Sequence, residues 1–519
     1  MSLSHPRGLY VLFFTELWER FSYYGMRAIL IFYLTRHFLF DDEAAYLLYG
    51  SYVSLIYALP VIGGLVADRW LGARKAVTLG AVLLVLGHGA MAFEGSGARR
   101  VVEDGRQLLI RDGVAEQVMF LALALICVGV GFLKANISTL VGSLYAPDDD
   151  RRDSAFTLFY MGINLGAFSA SLLVGWLGET LGWAWGFGAA GIGMSIGLAI
   201  FLGGQKHLAG AAEPPDPAAL ARPRMLGLSA EWLIRIGALL AVILVWQMIQ
   251  FAPLVGGLLG LVAALGVGGA LAYALLRLPA VERDRMLLML GLIAFSVVFW
   301  SLFEQAGSSL NLFTDRNVDR VLFGTEVPAS QFQALNAGFI ILLAPLFAML
   351  WPWLARRRRE PTTPTKFALA IIQAGLGFGA LVMGAASADD GLVAVGWLVL
   401  AYFLHTTGEL CLSPVGLAMV TRLSVPQVVG MMMGIWFLSI AGAGYLGGLI
   451  ATTMGVSGGE ASSADASLAI YADVFGRLAW IAVAAGAALL VLSPWLRRFM
   501  HRDVAIADRR AGPLLEEAR

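Results

Sequence analysis

The sequence predicts an all-α polytopic membrane protein. Of its 519 residues, 59% are hydrophobic and only 14% charged, where a soluble chain carries roughly 25% charged residues. Apolar runs of about 20 residues, the length a helix needs to cross a hydrocarbon core ~30 Å thick, recur from end to end. They are unbroken, which excludes the alternating strands of a barrel, and lipid leaves the backbone no third option.

The runs give fourteen spans, near 8–38, 45–68, 75–94, 116–145, 153–178, 183–203, 230–250, 253–276, 286–308, 330–354, 365–385, 391–420, 427–452 and 470–497. The opening MSLSHPRGLY lacks a cleavable signal pattern, and the first apolar segment carries charges that no signal core would hold, so it is expected to remain as the first helix. Basic residues set the orientation. Arg69, Arg74 and Lys75, Arg151 and Arg152, Lys206, Arg222 and Arg224, Arg277, Arg283 and Arg285, Arg356 to Arg359, Arg422, and the tail arginines Arg497, Arg498, Arg502, Arg509 and Arg510 all fall on one side. Both termini are therefore expected in the cytoplasm, with the chain in the inner (plasma) membrane.

The stretch 204–229 is rich in Pro, Ala and Gly and reads as a cytoplasmic linker. The plan is an N-terminal six-helix bundle over 1–203, the linker, a two-helix insertion over 230–276, a C-terminal six-helix bundle over 277–500 and a cytoplasmic tail over 501–519. The segment 94–115 alternates well enough for a small external hairpin. Net charge is zero, so bulk charge points to no partner, and no nucleic acid is expected. Cys127 and Cys411 each sit inside an apolar run, where packing is their role, and neither a metal nor a cofactor is expected.

Ionisable groups at membrane depth cost several kcal/mol and mark pathways or relays. The first span holds Glu16, Glu19, Arg20 and Arg27, and at about 100° per residue Glu16, Arg20, Tyr23 and Arg27 share a face with Tyr24 beside them. Lys134 lies in span four, Glu304 in VVFWSLFEQAGSS and Glu409 in LHTTGELCLSPVG. With the inserted pair set aside, buried charge falls on core spans one, four, seven and ten. Two related halves around a midplane site produce that period; a set of structural ion pairs has no reason to keep it. Carboxylates beside Arg or Lys change protonation when the partner moves, which is the minimum machinery for coupling protons to a solute. The same groups can hold a zwitterion, with Arg20, Arg27 or Lys134 on a carboxylate and Glu304 or Glu409 on an ammonium. Trp300, four residues before Glu304, and Trp436 are candidate walls.

Read in order, the motifs resemble the proton-dependent oligopeptide transporter family of the major facilitator superfamily. Glu16 to Gly25 reads ELWERFSYYG, Tyr57 to Lys75 reads YALPVIGGLVADRWLGARK, span four contains GFLKANIS, and Phe159 to Gly166 reads FYMGINLG. FWSLFEQ, NLFTDRNVDR and GELCLSPVGL follow in the second half, so the likeness covers nearly the whole chain. The resemblance implies a major facilitator fold of two six-helix bundles plus two extra helices, fourteen transmembrane helices in all. It also implies a proton-coupled symporter that imports di- and tripeptides by alternating access, and that is not an enzyme. By motif position, Arg20, Tyr23, Arg27, Tyr57, Lys134, Tyr160, Asn164, Trp300, Glu304, Asn336, Glu409, Ser413 and Trp436 fall at the substrate pocket. Glu16, Glu19, Arg20 and Glu304 fall where proton coupling is placed, and Lys134 with Glu409 where a gating salt bridge is placed. Peptides, protons and the bilayer are the implied partners of a chain acting as a monomer. Ala135 stands where proline is common, and Gly50 near the place of a histidine found in animal members, which excludes a histidine relay there.

The remaining alternatives are a proton-coupled carrier of nitrate, an amino acid or a peptide-like compound, a channel or receptor, and a membrane-embedded enzyme. Paired cations and anions favour a zwitterion over nitrate, and no metal spacing or nucleophile–base arrangement supports catalysis. Asp315, Arg316, Asp319 and Arg320 read as an external gate network or as solvated loop charge, and His405, four residues before Glu409, as a group that could tune that acid.

Overall fold

The computed structural model describes residues 5–103, 106–146, 149–208, 210, 212–225, 227–456 and 463–501. The expected tail, with Arg502, Arg509 and Arg510, lies outside the described residues apart from His501. Among those described, fourteen helices of 19 residues or more make up the protein. They are α1 (Arg7–Phe32), α2 (Asp42–Val66), α3 (Ala73–Met91), α4 (Gly113–Ser143), α5 (Arg151–Thr180), α6 (Trp183–Gly203), α7 (Ala230–Ile249), α8 (Ala252–Arg277), α9 (Ala280–Phe303), α10 (Ala334–Arg356), α11 (Thr363–Ala386), α12 (Val395–Leu423), α13 (Val429–Thr452) and α14 (Ala464–Leu496). Thirteen of them are long and apolar enough to cross a membrane. The exception is α1, whose apolar face is broken by Glu16, Glu19, Arg20 and Arg27.

Apolarity marks the part of a helix that meets lipid, not its ends. That is why α9 begins at Ala280 and α14 at Ala464, six residues before the apolar runs that predict them. The first turn of α9 and the residues just after it carry Glu282, Arg283, Asp284 and Arg285, which a helix accepts and hydrocarbon does not. Side-chain caps fix other starts: Asp41 accepts from the Ala44 amide at 2.7 Å to open α2, and Asp112 from Val114 and Ala115 at 3.1 Å to open α4. At the end of α2 a π-turn, Ala67–Leu71, runs into Gly72 at φ 76°, a left-handed conformation that ends the helix.

Between α3 and α4 the expected hairpin is present, with β1 (Arg99–Glu103) antiparallel to β2 (Arg106–Ile110). The linker stretch holds a 3-10 turn, Gln205–His207, a short α-helix, Pro217–Ala221, and a short strand pair. It lies on the α2–α3 turn, where Arg74 meets Glu213 at 2.8 Å, and the first turn of α7 is held beside it by Lys75 and Glu231 at 2.5 Å.

Packing follows sequence blocks. In the first six helices, α1 rests on α5 and α6, α3 on α4 and α6, and α2 on α4. In the last six, α11 rests on α12 and α14, and α9 on α11, α12 and α13. The blocks meet through α2 with α13 and through α5 with α10, while α7 leans on α4 and α8 on α13. The α2–α13 contact is close because a Cβ at Gly50 would stand 2.9 Å from the Gly448 Cα, a distance only glycine permits.

That contact closes the face away from the chain ends. There Arg316 of the short helix Ser309–Asn317 grips Asp42 at 2.5 and 2.8 Å. Arg36 reaches Glu179 at 3.4 Å and also pairs with Asp315, and Asn317 donates to the Gly391 and Ala464 carbonyls at 3.1 and 2.8 Å. Of the four residues read as a gate network, Asp315, Arg316 and Arg320 take part in ion pairs, whereas Asp319 accepts from the Val321 amide and forms no ion pair among the described residues. The opposite face, where the described residues begin and end at His5 and His501, opens into a hollow lined by Arg285, Lys366 and Arg422.

Candidate functional site

A cavity of about 340 Å³ lies at the centre of the protein, lined by α1, α2, α4 and α5 on one side and by α9, α10, α12 and α13 on the other. Local structure aims its side chains. Helix α9 tightens into a 3-10 turn at Glu304–Gly307, so Glu304 leaves the last α-helical turn pointing inward. Pro414 removes the amide that would bond the Leu410 carbonyl, opening α12 beside Glu409 and Ser413.

Charge of both signs lines this space. Arg27 donates through Nη2 to Glu304 Oε2 at 2.5 Å and through Nε to the Tyr49 hydroxyl at 2.6 Å. Arg20 is clasped by Glu19, its Nη2 donating at 2.6 Å, and stands 3.4 Å from Glu16. The Glu16 Oε2 atom is buried without a hydrogen-bond partner among the described residues. Lys134 has no carboxylate within 4 Å among the described residues; its Nζ sits 4.2 Å from the centre of the Tyr57 ring. Glu409 accepts from Asn336 Nδ2 at 2.9 Å, and the same amide reaches Thr406 at 3.1 Å. The cavity therefore holds one closed cross-block ion pair, Arg27–Glu304, beside a loose cation and a loose anion.

Twelve of the thirteen residues placed by motif in the pocket line this cavity: Arg20, Arg27, Tyr57, Lys134, Tyr160, Asn164, Trp300, Glu304, Asn336, Glu409, Ser413 and Trp436. Tyr23 does not. It is 1% exposed at the edge of the α1 stripe, which is centred on Arg20, Tyr24 and Arg27, and its ring packs 5.1 Å from that of Tyr24. Of the residues assigned to proton coupling, Glu16, Arg20 and Glu304 line the cavity, while Glu19 is sealed behind Arg20. Lys134 and Glu409 share the cavity, yet the salt bridge expected between them is not formed here. Tyr57 occupies the first and Asn336 the second.

Other lining residues escaped the sequence reading. Tyr402 precedes Glu409 by seven positions and shares its helix face, and Gln333 precedes Asn336 by three, so helical spacing from the two named residues could have found them. His405 faces the cavity but its Nε2 bonds the Ala374 carbonyl at 3.1 Å, which fixes it to α11 rather than to Glu409. Tyr49 carried no signal, since its partner Arg27 is reached only through the crossing of α1 and α2.

The model of the POT family matches residues 74–224 and 271–464. The peptide transporter YePEPT of Yersinia enterocolitica is 36% identical over 525 residues, covering 96% of this chain and 96% of that protein. The dipeptide and tripeptide permease A of Citrobacter koseri is 32% identical over 503 residues, 97% of this chain and 95% of its own. Among solved structures, a peptide transporter of the same kind, crystallised as a mutant with alafosfalin, superposes with a TM-score of 0.78 at 35% identity, over 96% of this chain and 97% of that one.

Proposed function

The chain belongs to the POT family, and from that premise we propose that it is a proton-coupled symporter that imports di- and tripeptides by alternating access. One observation carries this reading. Cations from the first block, Arg20, Arg27 and Lys134, and carboxylates from the second, Glu304 and Glu409, converge on one cavity between the blocks. Such a cavity matches both ends of a peptide zwitterion, while Trp300, Trp436 and Tyr57 offer walls for side chains.

The blocks 1–203 and 277–500 act as the two moving bundles, with 204–229 as a cytoplasmic linker, 230–276 as an accessory pair and 501–519 as a tail. Both termini lie in the cytoplasm, the chain sits in the inner (plasma) membrane, and it works as a monomer. The positive-inside bias supports the orientation. The locked face is then external and the hollow face internal, so the protein stands open to the cytoplasm. A proton delivered to Glu304 removes the charge that holds Arg27, and the freed guanidinium takes the peptide carboxylate. Lys134, with no acid of its own, closes on Glu409 as the bundles rock.

The test is solute accumulation in proteoliposomes under an imposed inward proton gradient. Dialanine and trialanine should accumulate well above the outside concentration, and single amino acids and nitrate should not. Accumulation of nitrate instead, or of an amino acid alone, would replace the peptide assignment with another proton-coupled cargo.

A further inference from the structure

On the face bearing the chain ends, a second hollow of about 810 Å³ opens between α10, the start of α11 and the end of α12. It adjoins the central cavity. Tyr160 lines both, and on α12 Leu410 and Pro414 of the hollow directly follow Glu409 and Ser413 of the cavity. Three cations reach the hollow, Arg285, Lys366 and Arg422, against a single carboxylate, Glu360.

The cations are not equivalent. Arg285, 5% exposed, donates to the Met500 and His501 carbonyls at 3.1 and 2.6 Å and so braces the end of α14. Lys366, 6% exposed, lies 4.2 Å from the Trp351 ring and bonds Glu360 at 2.6 Å. The Glu360 side chain is 40% exposed, so water competes for its end of that pair. Arg422 closes α12 with no carboxylate within 4 Å among the described residues. Beside these charges the wall is apolar, with Trp351 and Met419 among its members. A partly enclosed hollow with excess positive charge over a low-dielectric wall concentrates anions, and one whose body is apolar gains more than an inorganic ion does.

We propose that this hollow is a second binding site, at the inner mouth, for the C-terminal carboxylate of a peptide entering or leaving by that face, with Arg422 and Lys366 as its cations. The assignment rests on the peptide reading above. The central cavity must release its cargo into this space, and a carboxylate freed from Arg27 meets these cations next. Glu360 competes with the peptide for Lys366, so the site holds its own antagonist.

The test compares dialanine with dialanine amide, which lacks the carboxylate, as the internal solute in right-side-out vesicles carrying the full-length protein. Arg422→Gln should raise the inner-face half-saturation for dialanine, relative to the outer-face value, by about three- to fivefold, and Glu360→Gln should lower it. The amide should show neither shift. Opposite signs from two neutralising substitutions separate a binding role from a loss of structure. Equal shifts on both faces, equal shifts for the amide, or no shift at all would overturn the site. So would a shift that vanishes in vesicles of phosphatidylcholine alone, since an anionic lipid headgroup would then be the occupant. Should the unaltered protein move no dialanine across either face, the peptide reading itself fails, and the site with it.

Discussion

Arg27 in α1 and Glu304 at the end of α9 meet at 2.5 Å, with side chains 6% and 4% exposed, and the Arg27 Nε donates to the Tyr49 hydroxyl. The pair ties the first block to the last across the floor of the central cavity. Removing one member of a buried ion pair costs about 3–5 kcal/mol because the other stays buried and unpaired. Here neutralising Glu304 strands Arg27 unless a substrate carboxylate replaces it. On the proposed mechanism a proton and a peptide would each be the other's condition for binding, which is the meaning of coupling.

Glu304→Gln keeps the volume and an acceptor for Arg27 but cannot exchange a proton. Dialanine accumulation under an imposed proton gradient should fall to the level of equilibration, while exchange of labelled for unlabelled peptide persists. Accumulation at the unaltered level would remove Glu304 from the coupling.

Lys134 stands over Tyr57 with no acid of its own, facing the cavity that Glu409 shares. If its charge is needed to close the bundles in another state, Lys134→Ala should reduce proton-driven accumulation at least about tenfold, a loss near the ~1.4 kcal/mol that a tenfold change represents. Binding of peptide to purified protein, read by thermal shift, should survive. Unimpaired accumulation would exclude the lysine from the cycle.

What could be read from the chain alone, and what could not, follows from the range of the interactions. Helix-forming apolar runs and the α1 stripe are local, and Glu16, Arg20 and Arg27 fall on one face by spacing alone, as they do in the structure. Tyr23 falls outside the cavity because a stripe has a width that spacing does not give, and its ring is buried against Tyr24. The Lys134–Glu409 pairing was read from motif position, which carries no information about which state the bundles occupy. Tyr49 depends on where α1 crosses α2, and nothing local encodes a crossing. Helices α9 and α14 start six residues before their apolar runs because their polar first turns lie outside the lipid-facing signal.

Gly50 allows α2 and α13 to touch on the locked face, where a Cβ would stand 2.9 Å from the Gly448 Cα and 3.1 Å from the Gly444 carbonyl oxygen. Gly50→Val inserts a branched side chain into that contact, an overpacking of about 1–3 kcal/mol. The protein should become less able to close that face, seen as faster labelling of a cysteine placed at Ser54, with accumulation reduced. Unchanged labelling would show that the contact is not part of the gate.

The Asp42–Arg316 bridge locks the same face from the loop side, and the Asp42 carboxylate also accepts from the Val456 amide at 3.0 Å. Asp42→Asn leaves the backbone bond possible but discards the ion pair. Because Arg316 is partly exposed, the loss should be modest, about two- to fivefold in labelling rate at the locked face. High salt should shrink the difference between the two proteins, and a difference that grows with salt would point to a non-electrostatic cause.

The most direct measurement follows internal pH and labelled dialanine together in proteoliposomes that hold the unaltered protein, with no imposed gradient and dialanine added outside. The lumen should acidify as peptide enters, and no acidification should accompany peptide entry through Glu304→Gln. Peptide entry through the unaltered protein with the internal pH unmoved would contradict proton coupling and the role given to the charged cavity.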